Sequence, residues 1–299
     1  MHPEDDLTLT EVLGERQHLL NVSFRMLGTA ADAEDAVQET YVRWFRMSDD
    51  ERSLIRAPRG WLTRVVGNVC LDMLGSARHR REEYVGEWLP EPLSPDSPWE
   101  SPSEDPLDRL SEHESISMAL LVMLESLTPA ERVAFILHDV FAMPFDEIAD
   151  IVGRTSQACR KLASTARRHI DERREQVTPV DQHDAIVREF WTACGSGDLT
   201  ELVRLLDPNV VTLVDGGGRV RAALKPIRGA DNVSRFLLGV VGRQDAIETR
   251  VESVNGRSGL VFRHQGVVVT VASFEMRAGL ITDLWLTLNP DKLRTWNKS

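Results

Sequence analysis

The chain has 299 residues, 42% of them hydrophobic, and a formal net charge of −12; that length suits two or three domains with separate cores, and the hydrophobic fraction is that of a globular chain, not a disordered one. No apolar run approaches the ~20 residues that span a bilayer, and the acidic start MHPEDDLTLT lacks the basic-then-apolar layout of a signal peptide. Cys70, Cys159 and Cys194 are too scattered for a disulfide framework or a structural zinc site, so a reducing cytoplasmic setting is expected.

Residues 7–78 are expected to be wholly helical. Apolar residues recur at helical spacing in Leu19, Val22, Phe24, Met26 and Leu27, and again in Val37, Tyr41, Trp44 and Phe45. In ADAEDAVQETYVRWF, Asp32, Asp35 and Glu39 fall at i, i+3 and i+7 on one face, while Val37, Tyr41 and Trp44 face elsewhere. Spacing alone allows a solvated acidic face or a docking face for a basic partner. The next stretch, APRGWLTRVVGNVCLDMLGSARHRR, reads as an amphipathic helix with Trp61, Arg64, Asn68 and Asp72, ending in Arg78, Arg80 and Arg81. Trp61 suits stacking on an unpaired base with the arginines on phosphates. It suits a core position equally well, with the arginines closing a helix C-terminus favourably.

Residues 83–112 change character. Pro90, Pro92, Pro95, Pro98, Pro102 and Pro106 exclude long helices, and residues 82–115 hold eleven acids against one base. This predicts an extended, self-repelling linker. Residues 56–81 and 154–174 each carry a net +5, so two basic patches flank an acidic tether. Local patches, not net charge, set phosphate affinity.

Helices are expected to return from about Glu114 to Arg174. FDEIADIVGRTSQACRKLASTARR, Phe145 to Arg168, reads as helix, turn, helix: Ile148, Ala149 and Val152 line an apolar face, Gly153 stops the first helix, and the Ser156 hydroxyl caps the second. The second helix exposes Gln157, Arg160, Lys161, Ser164, Arg167 and Arg168, as a recognition helix for the DNA major groove does.

Past Asp184 the pattern predicts helices at Ala185–Gly195 and Leu199–Leu206, a strand at Val210–Val214, a glycine turn DGGGR and a helix around Asn232–Val241. Strands including Val267–Met276 and Leu280–Leu288 then form a curved antiparallel sheet, which makes a separate α+β domain.

In this order the parts resemble a bacterial sigma factor of the extracytoplasmic-function (ECF) class, from Leu7 to about Arg174. DAEDAVQETYVRWF resembles the part of sigma region 2 that binds the clamp helices of core RNA polymerase. The resemblance implies polymerase contacts by Asp32, Asp35, Gln38, Glu39, Tyr41 and Trp44. GWLTRVVGNVCLD resembles the segment that melts and captures the −10 element, which implies Trp61, Arg64, Asn68, Arg78, Arg80 and Arg81. LLVMLESLTPAERVAFILHDVFAMPFDEIADIVGRT resembles region 4, whose last helix reads the −35 element. That implies Arg154, Thr155, Ser156, Gln157, Arg160, Lys161, Ser164 and Arg167. The family usually has a basic residue near Gly75, and often Ser-Arg where Lys161 and Leu162 stand.

The last third, DLTELVRLLDPNVVTLVDGGGRVRAALKPIRGADNVSRFL, resembles the SnoaL-like branch of the NTF2-like fold. Together with YVGEWLPEPL, DGGGR and NPDKL it resembles a subgroup of ECF sigma factors whose fused domain regulates the factor in cis. The implied interdomain residues are Trp88, Leu89, Pro90, Asp215, Gly216, Gly217, Gly218, Arg219, Asn289, Pro290, Asp291 and Lys292. The subgroup generally reads DGGGK; Arg219 keeps the charge and changes its geometry. Glu87 stands where proline is common.

The implied fold is multidomain. Two all-α sigma domains (1–82, and 113–176 with the helix-turn-helix) are joined by the acidic Pro-rich linker 83–112 and followed by an α+β NTF2-like cone (184–299). The implied function is promoter-specific initiation of transcription, with core RNA polymerase and promoter DNA as partners, no cofactor or metal, no membrane and no required oligomer. The cone is expected to pack on region 2, or on the linker around Trp88 and Leu89, through the DGGGR turn and the NPDKL tail. A small-molecule ligand in the cone is a further candidate partner. Two other readings compete: a one-component regulator whose cone senses a ligand, and a cyclase or isomerase using Asp215, His264 or Asp283, acid/base candidates by type only.

Overall fold

The computed structural model describes residues 12–82, 84–97, 117–174, 178–241 and 247–297; the side chains of 77–82, 171–174 and 241 fall outside it. The chain forms two units, one from residues 1–80, 101–116 and 123–172, the other from 81–100, 117–122 and 173–299.

The described part of the first unit is helical. Helices α1 (Arg16–Leu27) and α2 (Ala30–Arg46) meet at a tight reversal. Gly28 leaves α1 at φ 79°, its N–H donating to the Phe24 carbonyl, and the Thr29 hydroxyl accepts from the Asp32 N–H at 3.2 Å. A short α3 (Asp49–Ser53) begins with a capping box of Ser48 and Glu51. Helix α4 (Pro58–Glu82) buries Leu62, Val66, Val69, Cys70 and Leu74, one continuous helical face. Helix α5 (Met118–Glu125) counts with this unit only from residue 123 on; after it comes α6 (Pro129–Phe135), capped by Thr128 and Glu131 with Pro129 in its first turn. A π-helical turn, Ile136–Val140, leads to α7 (Phe145–Val152) and α8 (Ser156–Arg174). Gly67 of α4 gives the later helices room: a Cβ there would sit 3.3 Å from Ile151 and 3.4 Å from Leu137. Arg132 of α6 donates to the Met26 carbonyl at 2.9 Å and pairs with Glu125 at 2.7 Å. Burial pulls the Arg132 guanidinium down to about 9, still well above neutrality.

The second unit is an α+β cone. Helices α9 (Val180–Ser196), α10 (Leu199–Leu205) and α11 (Ala230–Val241) pack on a six-stranded sheet of order β2-β1-β6-β5-β4-β3. The strands are β1 (Leu206–Asp215), β2 (Ile227–Arg228), β3 (Ile247–Val254), β4 (Arg257–His264), β5 (Val267–Arg277) and β6 (Leu280–Thr287). One expectation is corrected. The sheet is mixed, because β1 runs parallel to β6 while every other pair is antiparallel.

Both sheet faces are apolar. Val210, Val214, Leu260, Phe274, Ile281 and Leu284 face the helices. On the other face Leu213 and Trp285 pack with Leu89 and Met118, and Val254, Val261, Val268 and Val271 pack with Leu293 and Trp296. This is why β5 and β6 read as near-continuous hydrophobic runs.

A second correction concerns the linker. Its described part, 84–97, is free of helix as its prolines require, yet Leu89 to Ser94 are buried in the second unit. Even Glu91 is 3% exposed, and its carboxylate accepts from the Thr295 hydroxyl at 3.1 Å. Charge repulsion loses to the burial of Leu89 and Leu93, each 0% exposed. Residues 83 and 98–112 lie outside the described residues.

Candidate functional sites

Helix α2 divides cleanly. Asp35 and Gln38 are exposed, and Glu39 pairs with Arg43 at 2.9 Å. Asp32 sits in the helix cap, its carboxylate accepting from the Thr29 hydroxyl at 2.7 Å. Trp44 is corrected from a surface contact to core: it is 2% exposed, with its ring edge-on to Trp61 at 5.2 Å. The half-buried Tyr41 donates its hydroxyl to the Val12 carbonyl at 3.0 Å. The exposed face holds two apolar residues, Val42, which the sequence reading passed over, and Phe45, which it grouped with the apolar repeat; they follow Gln38 at i+4 and i+7.

On α4, Trp61 is half-buried against Trp44. Arg64 lies 3.8 Å from Glu147, and Asn68 is tied to its own helix, donating to the Arg64 carbonyl at 3.0 Å. Arg78, Arg80 and Arg81 fall on the last turns of α4, but their side chains lie outside the described residues.

Helices α7 and α8 form the expected helix-turn-helix. Gly153 ends α7 at φ 65° and donates to the Ala149 carbonyl. The cap of α8 is corrected: Thr155 accepts from the Ala158 N–H at 3.2 Å, whereas the Ser156 hydroxyl donates to Asp146. Cys159, Ala163, Ala166 and Ile170 are buried along one side of α8. Arg154, Thr155, Gln157, Arg160, Lys161, Ser164 and Arg167 are exposed. Arg160 stands over the Phe145 ring at 5.5 Å and Arg167 pairs with Asp139, so both guanidinium groups are positioned before any ligand arrives.

The second unit carries a buried ionic clamp. Asp215, 0% exposed at the end of β1, accepts from four donors. Tyr84 Oη at 2.6 Å and the Gly217 N–H at 3.0 Å reach Oδ1. The Leu89 N–H at 3.0 Å and Lys292 Nζ at 2.7 Å reach Oδ2. Lys292 also donates to the Leu89 carbonyl and lies 3.9 Å from the Trp88 ring centroid. Asn289 completes the ring, donating to Tyr84 Oη at 2.8 Å. A Cβ at Gly217 (φ 62°) would run into the Asn289 side chain, so the glycine turn is required for closure.

Burial first, then the hydrogen bond to Asp215, raises the Tyr84 phenol above the ordinary tyrosine value and keeps it a donor. With both carboxylate oxygens saturated, Asp215 has no lone pair left for a substrate proton. The arrangement clamps a peptide. Downstream, Leu93 exchanges two hydrogen bonds with Asn255, each 3.1 Å, and Trp296 donates to the Pro92 carbonyl at 2.8 Å.

Of the sequence candidates, Trp88, Leu89, Asp215, Gly217, Asn289 and Lys292 meet here, with Pro90 buried beside them. Arg219 does not touch the clamped segment through any described ion pair; it pairs at the surface with Asp291 at 2.8 Å. Gly216 and Gly218 shape the turn and Pro290 opens the short 3-10 turn that carries Lys292. Tyr84, Asn255 and Trp296 were missed. Tyr84 opens the quoted YVGEWLPEPL run, but Asn255 reads only as half of an Asn-Gly hairpin turn. His264 is exposed and Asp283 half-buried on β6.

Comparison with known proteins agrees with this architecture. Residues 13–80 match Sigma-70 region 2 and residues 117–170 match Sigma-70 region 4. The chain is 38% identical to the ECF RNA polymerase sigma factor SigJ of Mycobacterium tuberculosis, over 96% of this chain and 93% of the relative. It is 35% identical to the probable ECF RNA polymerase sigma factor SigI of the same species, over 93% and 92%. The crystal structure of M. tuberculosis SigJ superposes with a TM-score of 0.74 at 36% identity, covering 96% of this chain and 98% of that one. No helix among the described residues is long and apolar enough to cross a membrane. With two sigma regions in order and relatives matched over nearly their whole length, the chain belongs to the ECF RNA polymerase sigma factors.

Proposed function

We propose that this chain directs core RNA polymerase to promoters in the cytoplasm, and that docking of segment 84–94 on its C-terminal unit regulates it in cis. Asp35, Gln38 and Glu39, with Val42 and Phe45, dock on polymerase. Trp61, Arg64 and the arginines at 78, 80 and 81 serve the −10 element, and Arg154, Gln157, Arg160, Lys161, Ser164 and Arg167 hold the −35 element. In this reading region 2 ends near residue 82, region 4 occupies 113–176 and the cone begins near 184; the second compact unit also takes in residues 81–100 and 117–122. No covalent chemistry is assigned to the chain; the polymerase makes the bonds.

The observation that carries the regulatory part is the set of four donors converging on Asp215, two of them from the segment that follows α4 by one residue. Docking there restricts the path of the chain between its two DNA-reading regions, and a few kcal/mol moves such an equilibrium.

Run-off transcription with bacterial core polymerase and a promoter library tests both parts. Initiation by the full-length protein supports the first, and a change with Asp215→Asn gives the sign of the docking effect. No initiation by folded protein with competent polymerase overturns the first part; equal output from wild type and variant overturns the second. Arg160→Ala and Lys161→Ala should each lower the salt slope of promoter binding by about 0.9 if that residue contacts a phosphate.

A further inference from the structure

Beside the clamp lies an open cleft of about 390 Å³, bounded by Val85 and Gly86 of the held segment and by residues between 214 and 224. Its walls are aliphatic and face solvent: Val85, Val220 and Leu224 are 56%, 41% and 61% exposed. Meeting at one concavity, they offer an apolar wall to a small ligand. Its floor is closed by Ala222 and Ala223, which pack on the apolar core.

Two cations, Arg219 and Arg221, line the cleft, and the surrounding stretch 216–230 carries no acid in a chain of net charge −12. Arg219 is held by Asp291, whereas Arg221 is exposed. The two walls meet closely. A Cβ at Gly218 would lie 3.1 Å from Val85, and one at Gly86 would lie 3.4 Å from Leu224.

This volume falls in the range of small-molecule sites, roughly 300–1,000 Å³, and offers no extended track for a macromolecule. A guanidinium rim over aliphatic walls complements an organic anion with an apolar body. We propose that the cleft binds a small amphipathic carboxylate, and that its occupancy holds segment 84–94 on the clamp. The coupling rests on the docking reading above; the binding does not. One wall belongs to the segment that docks, so the cleft exists only in the docked state. A ligand bound there shifts the equilibrium toward docking by its differential affinity.

The test is calorimetric titration of the full-length protein with decanoate, decanol, inorganic phosphate and a short polyglutamate peptide, with amide exchange at Leu89 followed in parallel. Decanoate is expected to bind, and decanol and phosphate each to bind at least about tenfold more weakly. Arg221→Glu and Leu224→Asp should each weaken decanoate by at least about tenfold. Arg188→Glu, in the crevice between α9 and α10, should leave it unchanged. Absence of decanoate binding at millimolar concentration, decanol binding as tightly as decanoate, or unchanged affinity in both cleft variants overturns the site. Polyglutamate binding more tightly than decanoate, and losing affinity in the same variants, overturns the small-molecule assignment. Decanoate binding without slowed exchange at Leu89 overturns the coupling while leaving the site.

Discussion

Asparagine in place of Asp215 preserves volume and removes one charge and one acceptor. If the new amide faces Leu89 and Lys292, it opposes donors that now sit at 3.0 and 2.7 Å. If it faces the other way, Tyr84 can turn to accept, but the Gly217 N–H at 3.0 Å is left against a donor. Either way Lys292, with its side chain 7% exposed, loses its counter-charge. A hydrogen bond to a charged group contributes about 1.5–3 kcal/mol, and breaking a buried ion pair costs about 3–5 kcal/mol. The two overlap, so the expected weakening of docking is about 3–5 kcal/mol, roughly a hundredfold to a few thousandfold. The helix-facing core of the sheet is untouched, so the second unit should stay folded while the segment leaves. Amide exchange by mass spectrometry on the full-length protein reads this directly. Leu89 should lose about two to three and a half powers of ten of protection, whereas amides of β5 and β6 keep theirs. Asp215→Leu combined with Lys292→Met should lose less than either change alone, since no buried charge is then stranded. Leu89 exchange within about threefold of wild type in Asp215→Asn would refute the ionic clamp.

Three further outcomes are expected. Tyr41 and Tyr84 are the two tyrosines of the chain, and burial raises both above the ordinary value of 10.0. Their folded forms favour the phenol, so this stability is complete below about pH 10 and is lost as pH rises through the folded values. A spectrophotometric titration should show no phenolate midpoint near pH 10 in native protein; one there contradicts the burial argument. Gly217→Ala should lower Tm more than Gly256→Ala. Both have positive φ, but the first also collides with Asn289 while the second has open space. Equal losses would mean that the Asn289 contact is irrelevant. Burial pushes Cys70 and Cys194 up to about 12 and also raises Cys159, so a thiol reagent at pH 8 should label native protein slowly and all three sites once it unfolds. Rapid labelling of the native chain goes against this.

Helix positions and the exposed face of α8 were legible because they rest on local periodicity and on a glycine stop. The clamp was only half legible. Asp215 and Lys292 were named through a resemblance, but nothing in their spacing says that one carboxylate takes donors from positions 84, 89, 217 and 292. The linker's composition is that of a solvated tether, and only the resemblance pointed the cone at Trp88 and Leu89; the few apolar residues in it, Leu89 and Leu93, outweigh their charged neighbours once a hydrophobic sheet face is available. Trp44 misled in the opposite direction: spacing put it off the acidic face, and only the resemblance made it a polymerase contact, whereas it is 2% exposed. Thr155 and Ser156 are both competent caps, and only the position of Asp146 decides which hydroxyl serves.

The clamp also sets an order of events during synthesis. Its peptide half, from Tyr84 to Leu93, emerges after the first stretch of the helical unit (1–80) and before the rest of it, and its partners Asp215 and Lys292 emerge only after all of that unit has been made. Closing Tyr84 onto Asn289 joins residues 205 apart, the kind of long-range pairing that forms late. Every nascent copy therefore passes through a stage in which the helices have their own core and the segment after α4 has nothing to dock on. Each newly made chain begins unclamped and acquires the docked state afterwards.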